Sequence, residues 1–331
     1  MKRLATAFLA VAVVLSVTSA ARAEKFVIKT ATIAPEGSVW LKVMRRMAKD
    51  LKKATDGNVR LKFFAGGVLG DDKVVLEKLR FGQIQAAGLI GVGLGELVPE
   101  VRALELPFQF TSYKQTDCVL DALKDDFAKK FEKKGFVLLG WADQGFVYVF
   151  SNKAIKSADD MQGTKPWVME SDPLAKLLFQ KLGLNPVPLA IPDVFTSLQT
   201  GLIDTIYISP VAAIALQWYT KVKYMIDMPI VDGSGAILIS KKFFDGMPPE
   251  YRKITRELTA KYLRLLQKAT RRLNTKSIKV LARKGIQMIK PQASDIAGFQ
   301  KKGLEAAKSL VGKLYDKATL DRVLGLIEKC R

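Results

Sequence analysis

The chain of 331 residues is basic, with 53 Lys and Arg against 32 Asp and Glu, and it contains no histidine. The missing histidine excludes Ser-His-Asp and Cys-His catalysis and histidine zinc sites, and no cofactor motif takes their place. The chain is longer than a domain with a single hydrophobic core usually is, and its length therefore predicts two domains. The two cysteines, Cys118 and Cys330, are too few for a disulfide framework, and their spacing leaves their pairing open.

The N-terminus has the pattern of a secretory signal peptide. Lys2 and Arg3 precede an apolar stretch over residues 4–17, and Ala21-Arg22-Ala23 fits a cleavage site with small residues on either side. The apolar stretch is short for a membrane span, and no stop-transfer pattern follows it. We expect cleavage after Ala23 and a protein exported to the periplasm.

Positive charge is concentrated in the last third of the chain. The formal net charge of +21 falls to +18 when the three cations of residues 1–23 are removed. Residues 241–331 hold 23 Lys and Arg against 8 Asp and Glu. Such a face could meet an anionic surface or an acidic partner, but we interpret it as a solvated helix face. Nucleic-acid binding is not predicted, because neither interleaved aromatics nor a known motif is present.

The first third of the chain predicts a βαβαβ unit, the first half of a doubly wound sheet. Strands are expected at 26–33, at 58–64 and, with a turn, at 85–93. From Ser38, apolar residues recur at helical spacing. A glycine-rich loop over 65–72 leads to a second helix that ends at Gly82. The sequence G-V-G-L-G at 91–95 lacks the third glycine of a dinucleotide fingerprint, so a tight turn explains it better.

The rest of the chain predicts a second α/β unit. Strands are expected at 135–141, 146–152, 203–209 and 236–240, with helices from Asp172-Pro173 to Gly183 and from Asp193 to Gly201. After Pro248-Pro249, apolar residues recur every three or four positions over more than 25 residues. This pattern predicts a helix long enough to cross from one lobe to the other, and the tail over 298–329 is again helical.

A set of stretches in fixed order points to one family. In the first half they are TATIAPEGSVW, DGNVRLKFFAGGVLGDD, LRFGQIQAA and LELPFQF. In the second half they are GFVYVFSNKAIKSADDMQGTKPWV, LGLNPVPLAIPDVFTSLQTGLID and the long helix after MPPEYRKI. Over about residues 26–290 the chain resembles the solute-binding proteins of tripartite ATP-independent periplasmic (TRAP) transporters.

The resemblance implies an α/β periplasmic binding protein with two lobes, crossing hinge strands and a long helix that spans both lobes. Lobe I is expected over 24–146 and 236–270, and lobe II over 147–235 and 271–331. A ligand binds in the cleft, the lobes close over it, and the complex delivers it to the small and large membrane subunits of an ion-gradient-driven permease. No cofactor or metal is implied.

At the positions where relatives bind the carboxylate of their ligand, this chain has mostly apolar residues. Trp167 stands where organic-acid binders of the family present an arginine, and Val147 stands where many relatives have a second one. Tyr207 and Ser209 match a stretch that is polar in relatives. The chain is therefore similar to the branch associated with a tetratricopeptide-repeat partner, which lacks the arginine, and we expect a hydrophobic or amphipathic ligand.

Taken alone, Trp167 in a strand is more often a core residue than a ligand contact, and the resemblance reverses that preference. The predicted ligand-binding residues are Pro35, Glu36, Gly91, Val92, Phe108, Gln144, Phe146, Val147, Trp167, Glu170, Phe195, Gln199, Tyr207, Ser209 and Trp218. Three alternatives stay open. They are a carboxylate binder that uses Lys165, Arg60 or main-chain amides, a periplasmic scaffold without a transport role, and, last, an enzyme.

Overall fold

The computed structural model describes residues 26–331, so the predicted signal peptide lies outside the described residues and stays a prediction. The strands are β1 (Phe26–Thr32), β2 (Val59–Phe64), β3 (Ala86–Ile90), β4 (Phe136–Trp141), β5 (Gly145–Ser151), β6 (Trp167–Met169), β7 (Val187–Leu189), β8 (Thr205–Ile208), β9 (Tyr224–Gly233), β10 (Gly235–Ser240) and β11 (Gln287–Ile289). The α-helices are α1 (Val39–Ala54), α2 (Asp72–Arg80), α3 (Gly91–Leu97), α4 (Tyr113–Lys133), α5 (Pro173–Lys181), α6 (Ile191–Thr200), α7 (Pro210–Ala215), α8 (Lys241–Asp245), α9 (Pro249–Arg283), α10 (Ala293–Lys308) and α11 (Lys317–Lys329).

Five strands form sheet A, in the order β2-β1-β3-β10-β4. β1 pairs in parallel with β2 and β3, whereas β10 runs antiparallel to β3 and β4. Alternate residues of β10 point to opposite faces. Ile237 and Ile239 pack under α1 and α9, while Ala236 and Leu238 pack against α4. Sheet A is thus covered by helices on both faces, and the predicted βαβαβ order is confirmed.

Sheet B has the order β11-β9-β5-β8. β5 is antiparallel to both of its neighbours, and β11 is parallel to β9. The short parallel pair β6 and β7 joins this sheet through a bridge between Pro166 and Thr205. Two sheets with their own helices confirm the predicted α/β architecture, while the residue boundaries of the lobes stay a prediction.

Two adjacent segments that connect the sheets, 142–144 and 233–235, form what we call the hinge. The N–H of Ala142 donates to the carbonyl of Gly235 at 2.7 Å, and that of Gln144 donates to Gly233 at 2.8 Å. A Cβ on Gly235 would lie 2.3 Å from the carbonyl oxygen of Ala142, so the close approach of the two segments requires glycine there. The hinge therefore holds both crossings side by side.

Most predicted helix ends are confirmed by their capping contacts. Asp172 caps α5 by accepting from the N–H of Ala175 at 3.2 Å, and Pro173 takes the first helical position. Gly201 closes α6 in the left-handed conformation. The strand and turn predicted over 85–93 is wrong in its second half, because β3 ends at Ile90 and α3 begins at the next residue.

The long helix after Pro248 is confirmed as α9, which has 35 residues. It packs against α1 on the side of sheet A and against α7 on the side of sheet B. The tail is two helices, α10 and α11, with Gly312 at a positive φ of 80° in the turn between them. None of the described helices is both long and apolar enough to cross a membrane.

Cys118 of α4 and Cys330, directly after α11, form a disulfide with a Cα–Cα distance of 5.9 Å. The bond joins residues 212 positions apart, and α11 packs against α4 beside it. α11 falls in the predicted lobe II, yet its contacts are with a helix of the predicted lobe I. The disulfide thus closes most of the chain into one covalent loop.

Replacing both cysteines by serine is expected to lower the free energy of unfolding by about 2–5 kcal/mol, since the unfolded chain regains the entropy of a long closed loop. Chemical denaturation in buffer with and without a reductant measures the free energy of unfolding of both proteins. The wild type should lose stability when reduced, whereas the double serine variant should not respond to reductant. Equal stability of both proteins without reductant would contradict the expectation.

Candidate ligand-binding site

A cavity of about 290 Å³ lies between the two sheets, beside the hinge. Sheet A contributes the ends of β1 and β3 and the start of α3. Sheet B contributes β6, β8 and the start of α7, and the hinge closes one side. The carboxyl ends of β1 and β3 therefore face the cavity, as is general for ligand sites of open α/β sheets. Most of the side chains on the wall are aliphatic or aromatic, among them Trp40, Leu89, Met169, Leu174, Leu178, Phe179, Ile191, Ala212, Leu216 and Ile230.

Trp167 forms one wall of this cavity and belongs at the same time to the core behind it. Its indole Nε1 donates to the carbonyl of Leu189 at 2.9 Å, which ties β6 to β7. The ring stacks on Tyr207 at 5.2 Å and meets the edge of Trp218 at 5.4 Å. With its polar atom satisfied by the backbone, Trp167 presents only an apolar surface to the cavity.

Nine of the fifteen predicted ligand-binding residues lie on the cavity wall. They are Pro35, Gly91, Val92, Gln144, Val147, Trp167, Tyr207, Ser209 and Trp218. Gln144 and Val147 come from the hinge and from β5, and Ser209 precedes α7. Their contact with a ligand stays a prediction, but the structure brings them to one surface.

Three other predicted residues are aromatic side chains that pack away from the cavity wall. Phe108 is buried against Phe299, with ring centroids 5.2 Å apart. Phe146 stacks on Tyr113 at 4.4 Å. Phe195 is half-buried, with the ammonium of Lys221 above its ring at 5.1 Å. Their positions indicate packing roles.

The last three predicted residues are polar and face solvent. Glu36 forms an exposed ion pair with Arg45 at 2.7 Å, and Glu170 and Gln199 are exposed. The alternative cations Lys165 and Arg60 are exposed as well, and neither lies on the cavity wall. These side chains give no support to a charged contact with a ligand.

The sequence patterns do not predict the most conspicuous polar group of the cavity, Arg102, which is 4 % exposed. Its guanidinium Nη1 forms an ion pair with Glu105 and its Nη2 donates a hydrogen bond to Asp172, both at 2.7 Å. Burial alone lowers the pKa of Arg102, but attraction to Asp172 and Glu105 outweighs it and raises that pKa above its ordinary value. One sequence signal could have found this pair. Arg102 and Glu105 are a cation and an acid three residues apart inside the otherwise largely apolar segment 101–110.

Both acids that hold Arg102 have further partners. Glu105 accepts from the N–H and the hydroxyl of Ser234 in the hinge, at 2.8 and 2.7 Å. Asp172 accepts from the phenol of Tyr207 at 3.1 Å, besides capping α5. The resulting group, Arg102 with Glu105 and Asp172, carries a formal net charge of −1. We call it the buried triad.

The glycines of the G-V-G-L-G sequence make room for the charged side chains around them. A Cβ on Gly91 would lie 2.2 Å from Glu105, and a Cβ on Gly93 would lie 2.4 Å from Asp72. The carboxylate of Asp72 accepts from the N–H of Ile90 at 3.1 Å. Burial raises the pKa of Asp72 to about 7. The glycines thus permit close packing of α3 against buried acids.

A second charged group lies at the hinge, where Arg271 of α9 meets three acids. Its guanidinium donates to Asp143 at 2.5 and 2.9 Å and to Asp117 at 2.7 Å. Asp232, at the end of β9, lies 4.0 Å away. Burial and repulsion from Asp143 raise the pKa of Asp232 to about 8. Burial also raises the pKa of Asp143.

Charge on the cavity wall is therefore acidic overall. Of the residues on the wall, Arg102, Glu105, Asp143 and Asp172 are the charged ones, and the single cation among them is held by two carboxylates. Within residues 26–331, no cluster of three His, Cys, Asp or Glu side chains could hold a metal ion. The wall offers an incoming anion no cation that is free to receive it.

Two sheets with their own helices, joined by a paired hinge beside a cavity of about 290 Å³, give the architecture of a bilobal binding protein. A family model for bacterial extracellular solute-binding proteins, family 7 (DctP), matches residues 30–314. The chain therefore belongs to this family.

The relatives identified by sequence are solute-binding proteins that match this chain over part of its length. A solute-binding protein of Verminephrobacter eiseniae is 28% identical over 61% of this chain, and the C4-dicarboxylate-binding periplasmic protein DctP of Rhodobacter capsulatus is 26% identical over 73%. The chain matches 60% of the length of the first protein and 73% of the second, and it matches only 49% of a 30%-identical relative from Chromohalobacter salexigens.

Solved structures show the same fold over nearly the whole chain. The sugar acid binding protein of Advenella mimigardefordensis, in complex with galactonate, superposes with a TM-score of 0.86 at 24% identity. It covers 93% of this chain and 99% of its own. A Bordetella pertussis receptor that binds pyroglutamic acid gives 0.83 at 20% identity, with 91% and 99% covered.

The raised pKa values predict how stability depends on pH. The carboxyls of Asp72 and Asp232 ionise near the ordinary 3.8 when unfolded but at about 7 and about 8 when folded. Folding thus favours their protonated forms, and the stability that they contribute is lost as the pH rises from about 4 through 8. The free energy of unfolding should be higher at about pH 5.5 than at about pH 8.5.

Asp232→Asn should reduce that pH dependence, because the amide stays neutral at every pH. Denaturant titrations at both pH values measure the slope, and Asp159→Asn, at an exposed position, serves as the matched control that leaves it unchanged. An equal slope in wild type and Asp232→Asn would contradict the assignment.

Proposed function

We propose that this protein is a periplasmic TRAP-type solute-binding protein that captures a small hydrophobic or amphipathic ligand. It delivers this ligand to the small and large membrane subunits of an ion-gradient-driven permease. One observation carries the ligand class: the single cation on the cavity wall, Arg102, is already paired with Glu105 and Asp172. The remaining wall is mostly apolar.

The charge of the wall argues against a small dicarboxylate. A carboxylate placed beside the buried triad would lose its hydration and would face two acids that already share the only guanidinium. An unpaired buried charge costs several kcal/mol, roughly two or three orders of magnitude in affinity or more. An apolar body against Trp167 and Val147 gains free energy instead, with Gln144 and Ser209 able to orient a polar end by hydrogen bonds.

Further parts of the proposal rest on the sequence and on the family. The predicted signal peptide with cleavage after Ala23 and the membership in an extracellular solute-binding family support a periplasmic location. The tryptophan at 167 supports placement in the branch that lacks the carboxylate-binding arginine. A tetratricopeptide-repeat partner is part of that placement.

The second candidate is a binder of an organic acid, and the relatives favour it. Proteins of the same fold or family bind galactonate, pyroglutamic acid and C4-dicarboxylates. In this chain Lys165 and Arg60 lie away from the cavity wall, so such a ligand would depend on main-chain amides or on displacing one acid from Arg102.

Native mass spectrometry of gently purified protein, followed by thermal-shift titration, separates the two candidates. We expect a co-purified apolar or amphipathic molecule, stabilisation by a medium-chain alcohol such as decanol, and no stabilisation by succinate or galactonate. Tight binding of succinate or galactonate, with no apolar molecule retained, would contradict the proposed ligand class. Trp40, Trp167 and Trp218 on the wall provide a fluorescence signal for the same titrations.

Trp167→Arg is expected to weaken binding of the co-purified ligand by roughly a hundredfold, since it places a charge in the apolar wall. In a carboxylate binder the same change would supply the missing cation and raise affinity for succinate or galactonate. Trp167→Phe keeps an apolar ring and should bind nearly as the wild type does. Phe81→Arg, at a side chain that is 79% exposed, adds the same charge elsewhere and controls for charge alone; circular dichroism checks the fold of each variant.

A further inference from the structure

The outward face of α9 carries exposed cations in one continuous row. Seven of them form the basic row: Lys261, Arg264, Lys268, Arg272, Lys276, Lys279 and Arg283. At about 100° per residue, the seven fall within an arc of about 120° around the helix. From Leu258 to the end of α9 there is no Asp or Glu. In the described part of the chain, the ion pairs of α9 are made by Arg252 and Arg271, which are not in the row.

This arrangement destabilises the helix that carries it. Arg264, Lys268, Arg272 and Lys276 follow one another at four-residue spacing, and like charges at that spacing repel. A solvated face with mixed charges would lack this repulsion. The helix forms in spite of it because its other side packs on α1 and α7. An external anionic surface would relieve the repulsion along the whole row.

The shape and composition of the row select the kind of anion. It extends for about 33 Å at 1.5 Å per residue, and no exposed aromatic side chain accompanies it on α9. Single-stranded nucleic acids bind through stacking aromatics, and protein interfaces depend on buried aromatic or arginine anchors in pockets. A straight row of flexible cations with one exposed leucine, Leu265 at 49%, instead matches a plane of anionic headgroups.

We propose that the basic row docks the protein on an anionic phospholipid surface. Docking is independent of the ligand cavity, because Thr270 lines the cavity from the buried face of α9, on the side opposite to the row. The protein held on a membrane by this row keeps its ligand site away from the lipid.

The test is co-sedimentation of the purified protein with phosphatidylcholine vesicles that contain or lack phosphatidylglycerol. The wild type should bind only the vesicles with phosphatidylglycerol and should be released at high salt, which screens exposed charges. The triple variant Arg264→Glu, Lys268→Glu and Lys276→Glu should lose roughly a hundredfold in apparent affinity, given the strength of single basic residues near such surfaces.

The matched control is Lys129→Glu, Lys133→Glu and Lys134→Glu, which changes the net charge equally at exposed positions at the end of α4 and on the opposite face of sheet A. It should bind vesicles nearly as the wild type does. Equal losses in both variants would overturn the proposal in favour of non-specific net charge. Binding of the wild type to polyglutamate but not to phosphatidylglycerol vesicles would overturn the choice of lipid. Thermal unfolding confirms that both variants are folded.

Discussion

The burial of Arg102 is the constraint on which the other parts of the cavity depend. A guanidinium that is 4 % exposed has to be paired, and without its carboxylate partners it would be an uncompensated buried charge. Glu105 pairs with it from the same 3₁₀ helix, Pro99–Glu105, and also holds Ser234 in the hinge. Asp172 pairs with it from the start of α5 and also holds the phenol of Tyr207. One side chain thereby links lobe I, the hinge and the apolar wall of lobe II.

That linkage also accounts for the character of the cavity. Tyr207, held by Asp172, stacks on Trp167, whose indole is in turn fixed by the carbonyl of Leu189. The aromatic wall therefore owes its orientation to a charged group behind it, although it presents little charge itself. A carboxylate ligand would compete for Arg102 with two acids that are already in place, whereas an apolar ligand leaves every one of these contacts intact.

The local signals of the sequence predicted the fold well, and the site only in part. The cap at Asp172, the stop at Gly201 and the apolar periodicity of α9 follow from nearest-neighbour chemistry, and each is confirmed. Phe108 and Phe146 were indistinguishable from cavity residues, because an aromatic side chain suits a core and a binding wall equally. The pairing of Arg102 with Asp172 spans 70 residues, and the disulfide spans 212; such contacts are set by tertiary packing that no local pattern encodes.

The basic C-terminal third and the acidic, apolar cavity do not conflict, since α9 separates them. Its buried face reaches the cavity at Thr270, while the cations stand on its outward face, about one helix diameter of 10 Å away. The cations of the row are solvated at that distance, whereas the buried triad lies on the cavity wall itself, so the triad acts more strongly on a ligand in the cavity. The one α9 cation that turns inward, Arg271, is held by Asp117 and Asp143 at the hinge. The large positive charge of the chain is therefore no indication of an anionic ligand, and the charge that matters for ligand selection is the local one of the buried triad.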